Sequence, residues 1–555
     1  MPRMTRPFSN DPLLTPLLPV ALICAALGFA TALTPSLIPR AGVVQGALAG
    51  SAFLTVYALG ALLSAIWRWL GLPFWRPRGL TRLANALALA IILYGLWRVT
   101  DWQNAVHASA GMEPVETARP LIIAAVGAAL IVPVIVLGRL LRLLIYAQAN
   151  RLARIFPPRL AMVAALAITA ALFWTVGNGL LVGSVLRALD GAAQRVDALI
   201  PDDLAPPAQA ERSGSAASLI AWDALGAAGR RHVLSPAFAE DIAALTPDAP
   251  GLPAAQEPIR VYVGLNSAET PEERAELALA ELLRTDAFGR EILVIATPTG
   301  TGWVHRAGIA SLEFLWRGDV ASVAVQYSYL PSWLTLLADP DYGVETARAV
   351  FRAIHDHWRQ LPRDDRPRLY LHGLSLGSFN GELSADPWDL LTDPHDGAFW
   401  VGPTFANPLW QEFTARRNPE SPAWRPRVGR GSLVRFATQD GMPNHGAAPW
   451  GPVRLLYLQY PSDAVTFFTT DSLWKRPAWM RPRAPDVSPA FRWVPVVTFL
   501  QLFADLVTSF GTPVGVGHTY AARHLIDGWH ALTEPPGWDE PALQALRDWF
   551  EEREL

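Results

Sequence analysis

Lysine is almost absent from this chain: among 46 basic residues Lys475 alone is not an arginine. A phosphate-cradling P-loop, a Schiff base and a serine–lysine pair each need a lysine at a fixed place, so those mechanisms are excluded. Cysteine is as scarce. The single Cys24 lies in an apolar run, which argues against an internal disulfide, a multi-cysteine zinc site or a thiolate nucleophile. Charge is thin too, at 17% of 555 residues, and a net charge of −3 offers no basic field for a nucleic acid. What is abundant is apolar surface. A mean hydropathy of +0.21 is too high for a wholly soluble enzyme, so part of the chain is expected in lipid.

Apolar runs of the roughly 20 residues needed to cross a bilayer occur at about 14–37, 42–67, 83–100, 120–146 and 160–186, which predicts five spans. They are apolar on all sides, unlike the amphipathic helices of a soluble core. The first run is long and lacks a small-residue cleavage site, so it reads as a span and not a signal peptide. Arginines crowd the N-terminus (Arg3, Arg6), the second connection (Arg68, Arg76, Arg78, Arg82) and the fourth (Arg139, Arg142, Arg151, Arg154, Arg159). The positive-inside rule makes those segments cytoplasmic, and an odd number of spans then puts everything after about residue 190 on the outer face.

Three regions are expected: a helical membrane domain over 1–190, an Ala/Pro/Asp/Ser-rich connector over 191–255, and a domain over 256–555. In the last, short β-rich runs alternate with helical patterns, the signature of an α/β domain with a mainly parallel sheet. Thr270, Pro271 and Glu273 form a capping box at the head of one helix. Strands are predicted at "IRVYVGL", "EILVIAT", "VASVAVQYSYL", "RLYL", "GAFWVGP", "SLVRFAT" and "RLLYLQYPSD", and a closing helix near "TYAARHLIDGWHAL".

The strand "RLYL" runs into Gly373-Leu374-Ser375-Leu376-Gly377. A nucleophile elbow needs a strand before it, a helix after it and small residues around the serine, because the turn strains the backbone and brings chain close to chain. Gly373, Gly377 and Ser378 meet that need; a purely structural strand-to-helix turn is the competing explanation. The partners of such a serine follow in the order acid, then histidine. His518, in the glycine-rich loop "GTPVGVGHTY", is the candidate base. His524 and His530 fall on the last helix, and His445 is a further loop histidine. Asp463 directly follows a strand and is the candidate acid, with Asp440 as the alternative. An oxyanion hole would use the Leu376 N–H and a donor from "TPTGTGW", with Gly300 and Thr301 first in line. The "HDHW" histidines, His355 and His357, point different ways on a helix and make no metal pair.

These residues, with "LTPSLIPR", "GSAASLIAWDALGAAGRRHVL", "IRVYVGLNSAETPEERAELALAEL", "PTGTGW", "GLSLGS", "LQYPSDAVTFF" and "GHTY", resemble a family of bacterial membrane proteins that fuse a multi-span domain to an α/β-hydrolase domain. The resemblance covers nearly the whole chain and implies a serine-hydrolase triad at Ser375, Asp463 and His518. Leu374 departs from it, since a polar residue often stands there in the family. The expected function is that of a bacterial inner-membrane serine esterase, lipase or acyltransferase, needing no metal or organic cofactor and acting on acyl esters of a hydrophobic or lipid kind. Aromatics in "AVTFFTTDSLWKRPAWM" and "FWVGPTFANPLWQEF" are candidates for an acyl wall. The alternative is a ligand-binding or transport-associated membrane protein that keeps the fold without the chemistry.

Overall fold

The computed structural model describes residues 17–72, 78–175, 197, 204–247, 253–329, 340–442 and 448–553. The chain forms two compact units, one of residues 1–187, 468–477 and 485–508, the other of residues 188–467, 478–484 and 509–555.

The first unit is helical: α1 (Pro19–Ala32), α2 (Gly42–Trp69), α3 (Arg78–Ser109), α4 (Pro120–Leu152) and α5 (Pro158–Trp174). Among the described residues three helices, α2, α3 and α4, are long and apolar enough to cross a membrane, which indicates a membrane association. The expected first span is a helix of only 14 residues. At 1.5 Å per residue it covers roughly 21 Å, short of the roughly 30 Å of hydrocarbon. It lies largely buried within its own unit. The expected fifth span starts as a 17-residue helix, and the rest of that run lies mostly outside the described residues. Small residues let these helices approach closely. A Cβ on Gly46 would come within 2.8 Å of the Ile123 carbonyl oxygen, and one on Gly50 within 3.3 Å of Gly127, so α2 and α4 pack backbone to backbone.

The "LTPSLIPR" motif has a physical role here. Arg40 is buried and its Nε lies 2.5 Å from Asp505, on the late helix Val497–Thr508 of the same unit. Asp505 also accepts from Ser36 Oγ (3.2 Å) and the Leu37 N–H (3.1 Å). A second arm of the arginine reaches Gln45 at 2.8 Å. A buried charge pair is tolerated only when its remaining donors and acceptors are satisfied, and this one has such partners.

The second unit carries a seven-stranded, fully parallel sheet. Its strands are β1 (Ile259–Val263), β2 (Ile292–Thr297), β3 (Val320–Val325), β4 (Arg368–Leu374), β5 (Gly397–Val401), β6 (Val434–Ala437) and β7 (Arg454–Leu458), in the order β1-β3-β2-β4-β5-β7-β6. β1 to β5 are buried almost throughout, as helices on both faces require. The register aligns their carboxyl ends, pairing Thr297 with Gly373, Leu374 with Val401, and Val401 with Leu458. Whatever follows β2, β4, β5 and β7 therefore emerges along one edge, where open parallel sheets place their sites.

Two expectations change in this unit. From Arg212 onward the supposed connector packs against β1: Arg212 bridges to Arg260, and its guanidinium binds the Val233, Ser235 and Ala237 carbonyls at 2.6–3.0 Å. The chain also does not close on the Ala522–Thr533 helix. A further helix, Glu540–Glu552, follows, capped by Asp539 and held by Arg547–Asp527 at 2.7 Å. The Thr270 capping box forms as predicted, with the Glu273 N–H donating to Thr270 Oγ1 at 3.2 Å.

His372 on β4 gives a pH test of this core. Its Nδ1 donates to the Phe399 carbonyl at 2.9 Å, and burial holds the imidazole down to about 4. The unfolded chain, with an ordinary value near 6.5, takes a proton first as pH falls. Stability present above about 6.5 is therefore lost on the way down to 4, by about 3 kcal/mol for this group. Urea unfolding in detergent should show a loss larger in the wild type than in His372→Gln by that amount; equal slopes would refute it.

Candidate active site

Ser375 sits between β4 and the Leu376–Glu382 helix at φ 57°, ψ −124°, a conformation that costs a non-glycine residue on the order of 1–3 kcal/mol. The flanking glycines are obligatory. A Cβ on Gly373 would fall 2.4 Å from the Gly377 carbonyl carbon, and one on Gly377 would fall 2.2 Å from the Thr297 oxygen. The Ser375 N–H donates to the Val401 carbonyl at 2.9 Å, which ties the turn to the end of β5.

His518 and Asp463 are brought together. The loop after β7 places Asp463 where its Oδ2 lies 2.7 Å from His518 Nδ1, with both side chains fully buried. An ionised carboxylate only accepts, so Nδ1 is the donor and Nε2 keeps its lone pair. That Nε2 is buried and has no hydrogen-bond partner. The histidine loop turns on Gly515 (φ 89°) and Gly517 (φ 59°), and the Gly517 N–H donates to Ser462 Oγ at 3.1 Å. The imidazole lies against Gly402, where a Cβ would stand 2.8 Å from His518 Cε1. Ser375 and His518 thus meet the same Val401–Gly402 corner, though no hydrogen bond joins them. Such a bond is often long in a free enzyme and tightens with substrate.

A family model described as the alpha/beta-hydrolase family matches residues 259–546, and one described as that family's N-terminus matches residues 33–236. The chain belongs to the alpha/beta-hydrolase family. No curated protein and no solved structure matches it. The alpha/beta-hydrolase match starts at β1 and runs into the Glu540–Glu552 helix, and the N-terminal match covers α2 to α5 and the segment that packs on β1.

Elsewhere in the alpha/beta-hydrolase domain, the alternative acid Asp440 is exposed in a turn after β6, closed by the Gly441 N–H on the Thr438 carbonyl (3.0 Å). His524 is on a helix, 2.5 Å from the Tyr460 hydroxyl. His445 lies outside the described residues. In the loop after β2, Thr299 and Gly302 use their N–H groups on the Trp303 and Thr299 carbonyls (2.9 Å each), and Gly300 and Thr301 occupy the apex. Leu376 is the first residue of the elbow helix, where backbone N–H groups have no intrahelical acceptor. His355 Nε2 meets the Asp393 carbonyl at 2.9 Å, and the His357 ring packs on Phe288. The aromatics expected to form an acyl wall are mostly core: Phe399, Trp400 and Phe467 are buried, and Trp410 binds Gln459 at 2.6 Å.

Sequence reasoning missed Tyr520. Its hydroxyl donates to Asp463 Oδ2 at 2.7 Å, the same oxygen that holds His518. Burial first, and the Asp463 charge second, push this phenol well above its ordinary range, so it remains a donor. Thr466 Oγ1 (3.2 Å) and the Val465 N–H (2.8 Å) complete the carboxylate's shell. The signal was present in "GHTY", two residues past the histidine, but nothing local says where that ring turns.

Proposed function

We propose that this chain is a membrane-associated serine hydrolase or acyltransferase acting on carboxylic esters through an acyl-enzyme. The observation that carries the reading is the buried, unpartnered Nε2 of a carboxylate-held imidazole, set at the same corner as the strained turn of Ser375. Ser375 Oγ adds to the ester carbonyl while His518 Nε2 takes its proton. Collapse of the tetrahedral intermediate returns that proton to the departing alcohol. Water, or a second alcohol, then repeats the sequence, releases the acyl group and restores the serine. Asp463 keeps Nδ1–H in place and balances the imidazolium, and Leu376 with the 300–301 apex supplies oxyanion donors. The test is a fluorophosphonate probe on membranes. The modified peptide should contain Ser375; labelling elsewhere, or none, ends this reading.

Within it Tyr520 is a positioning residue. Tyr520→Phe removes one donor from Asp463, a loss worth about 1 kcal/mol, and kcat/KM should fall several-fold. The carboxylate charge, less dispersed, stabilises the imidazolium, so the acid limb of the pH profile should move upward. A tyrosine serving only to pack would leave that limb in place.

We place the protein in a bacterial inner membrane with the hydrolase domain outside, on the arginine-rich connections before α3 and before α5 and on α5 crossing outward. A C-terminal alkaline phosphatase fusion should be active and a green fluorescent protein fusion dark; the reverse would invert the topology.

A further inference from the structure

A cavity of about 1050 Å³ is lined by Trp303, Arg306, Leu374, Phe510, Val514 and His518. That volume lies at the upper end for small-molecule sites and suits a substrate larger than a short-chain ester. Its charges are uneven. Arg523 is neutralised by Glu551 at 2.5 Å. His305 is neutral at physiological pH, held at about 4 by burial first and by His372 second. Arg306 is different: it is exposed, begins the ten-residue Arg306–Leu315 helix, and has no ion-pair partner among the described residues. The first-turn N–H groups of that helix add partial positive charge at the same place. His524, held below its ordinary value by burial first, also lines the cavity, as do Gln439 and Thr519, and the apolar part of the wall is open, with Trp303 38%, Phe510 56% and Val514 71% exposed. An independent observation points to a ligand: His518 Nε2, buried and unpartnered, belongs to the same cavity.

We infer that this cavity takes an acyl ester bearing an anionic group, phosphate or carboxylate, with Arg306 pairing the anion, the ester carbonyl at Ser375 and the acyl chain along Trp303, Phe510 and Val514. The guanidinium fork matches both anions in two-point contact. The inference rests on the hydrolase reading above and deepens it by naming the substrate class.

The test compares 1-hexanoylglycerol 3-phosphate with 1-hexanoylglycerol on the full-length protein in detergent. It measures kcat/KM and the protection of Ser375 against a fluorophosphonate, the second needing no turnover. The wild type should favour the phosphate ester about tenfold, the worth of one charge-assisted contact. In Arg306→Ala the ratio should fall to near one, in Arg306→Glu below one, and Arg306→Lys should retain part of it. Phosphatidylglycerol against phosphatidylcholine in mixed micelles separates the sources: a ratio there alone makes the anion a lipid headgroup, and a ratio in both pairs makes any acyl phosphate ester suitable. A ratio near one for the wild type in both pairs, or one unchanged in Arg306→Ala while Ser375 still labels, overturns the inference. Failure of Ser375 to label overturns the hydrolase reading instead, and this inference with it.

Discussion

Ser375→Ala is expected to abolish fluorophosphonate labelling and to lower ester turnover by about 10⁵–10⁶-fold, the loss seen when an activated serine is removed and only binding and oxyanion donors remain. The size follows from the arrangement. Without Oγ the lone pair of His518 Nε2 has no proton to take, and no acyl-enzyme forms. Stability should move the other way in a companion variant. At φ 57°, ψ −124° the serine strains the backbone, and glycine adopts that region freely. Ser375→Gly is therefore expected to be as inactive as the alanine variant and about 1 kcal/mol more stable, read from thermal unfolding in detergent. A glycine variant less stable than wild type would show that the turn is not strained. Substantial turnover in the alanine variant would remove Ser375 from the mechanism.

Arg260→Ala should be the most damaging change to the fold itself. Arg260 and Glu313 are completely buried and paired, Nη2 to Oε2 at 2.5 Å and Nε to Oε1 at 2.8 Å. The same guanidinium binds the His232, Ser235 and Pro236 carbonyls at 2.7–2.9 Å. Alanine leaves a buried carboxylate and three carbonyls without that partner, a loss of about 3–5 kcal/mol. It also loosens the Arg306–Leu315 helix that carries Glu313 and lines the cavity. The double variant Arg260→Met, Glu313→Leu replaces both charges with apolar volume and should recover most of the loss. If the double variant is as unstable as the single one, it is the carbonyl network and not the orphaned charge that matters.

The seven strands, the Thr270 helix start and the elbow were legible because each is written in neighbouring residues. β-branched runs, a capping box and glycines flanking a serine act over a few positions. What was not legible has a different cause. The run near residues 14–37 is apolar enough for a span, but how much of it is helical depends on where the chain turns at Leu33, and its burial depends on α2 and α3 around it. The final helix has its signal in the Asp539 cap with Glu540 and Pro541 in its first turn, but its docking through Arg547 to Asp527 is a tertiary contact. The aromatics of "FWVGPTF" look alike whether they face a ligand or a core, and β5 buries Phe399 and Trp400. Nothing local marks Arg212 and Arg260, and folding brings them into one buried polar cluster around the Ser235 carbonyl.

By itself the amino-acid sequence determined that this is an apolar-helix segment followed by a parallel α/β domain with a serine on a glycine-hinged turn, since run length, alternation and turn chemistry are local properties. Only the tertiary structure decided that Asp463 and not Asp440 holds His518, that Tyr520 shares the same carboxylate oxygen, and that Arg306 lines the cavity with no ion-pair partner among the described residues. Those facts depend on the strand order β2-β4-β5-β7-β6 and on which carboxyl ends stand side by side, and residues far apart in the chain meet only after that order exists.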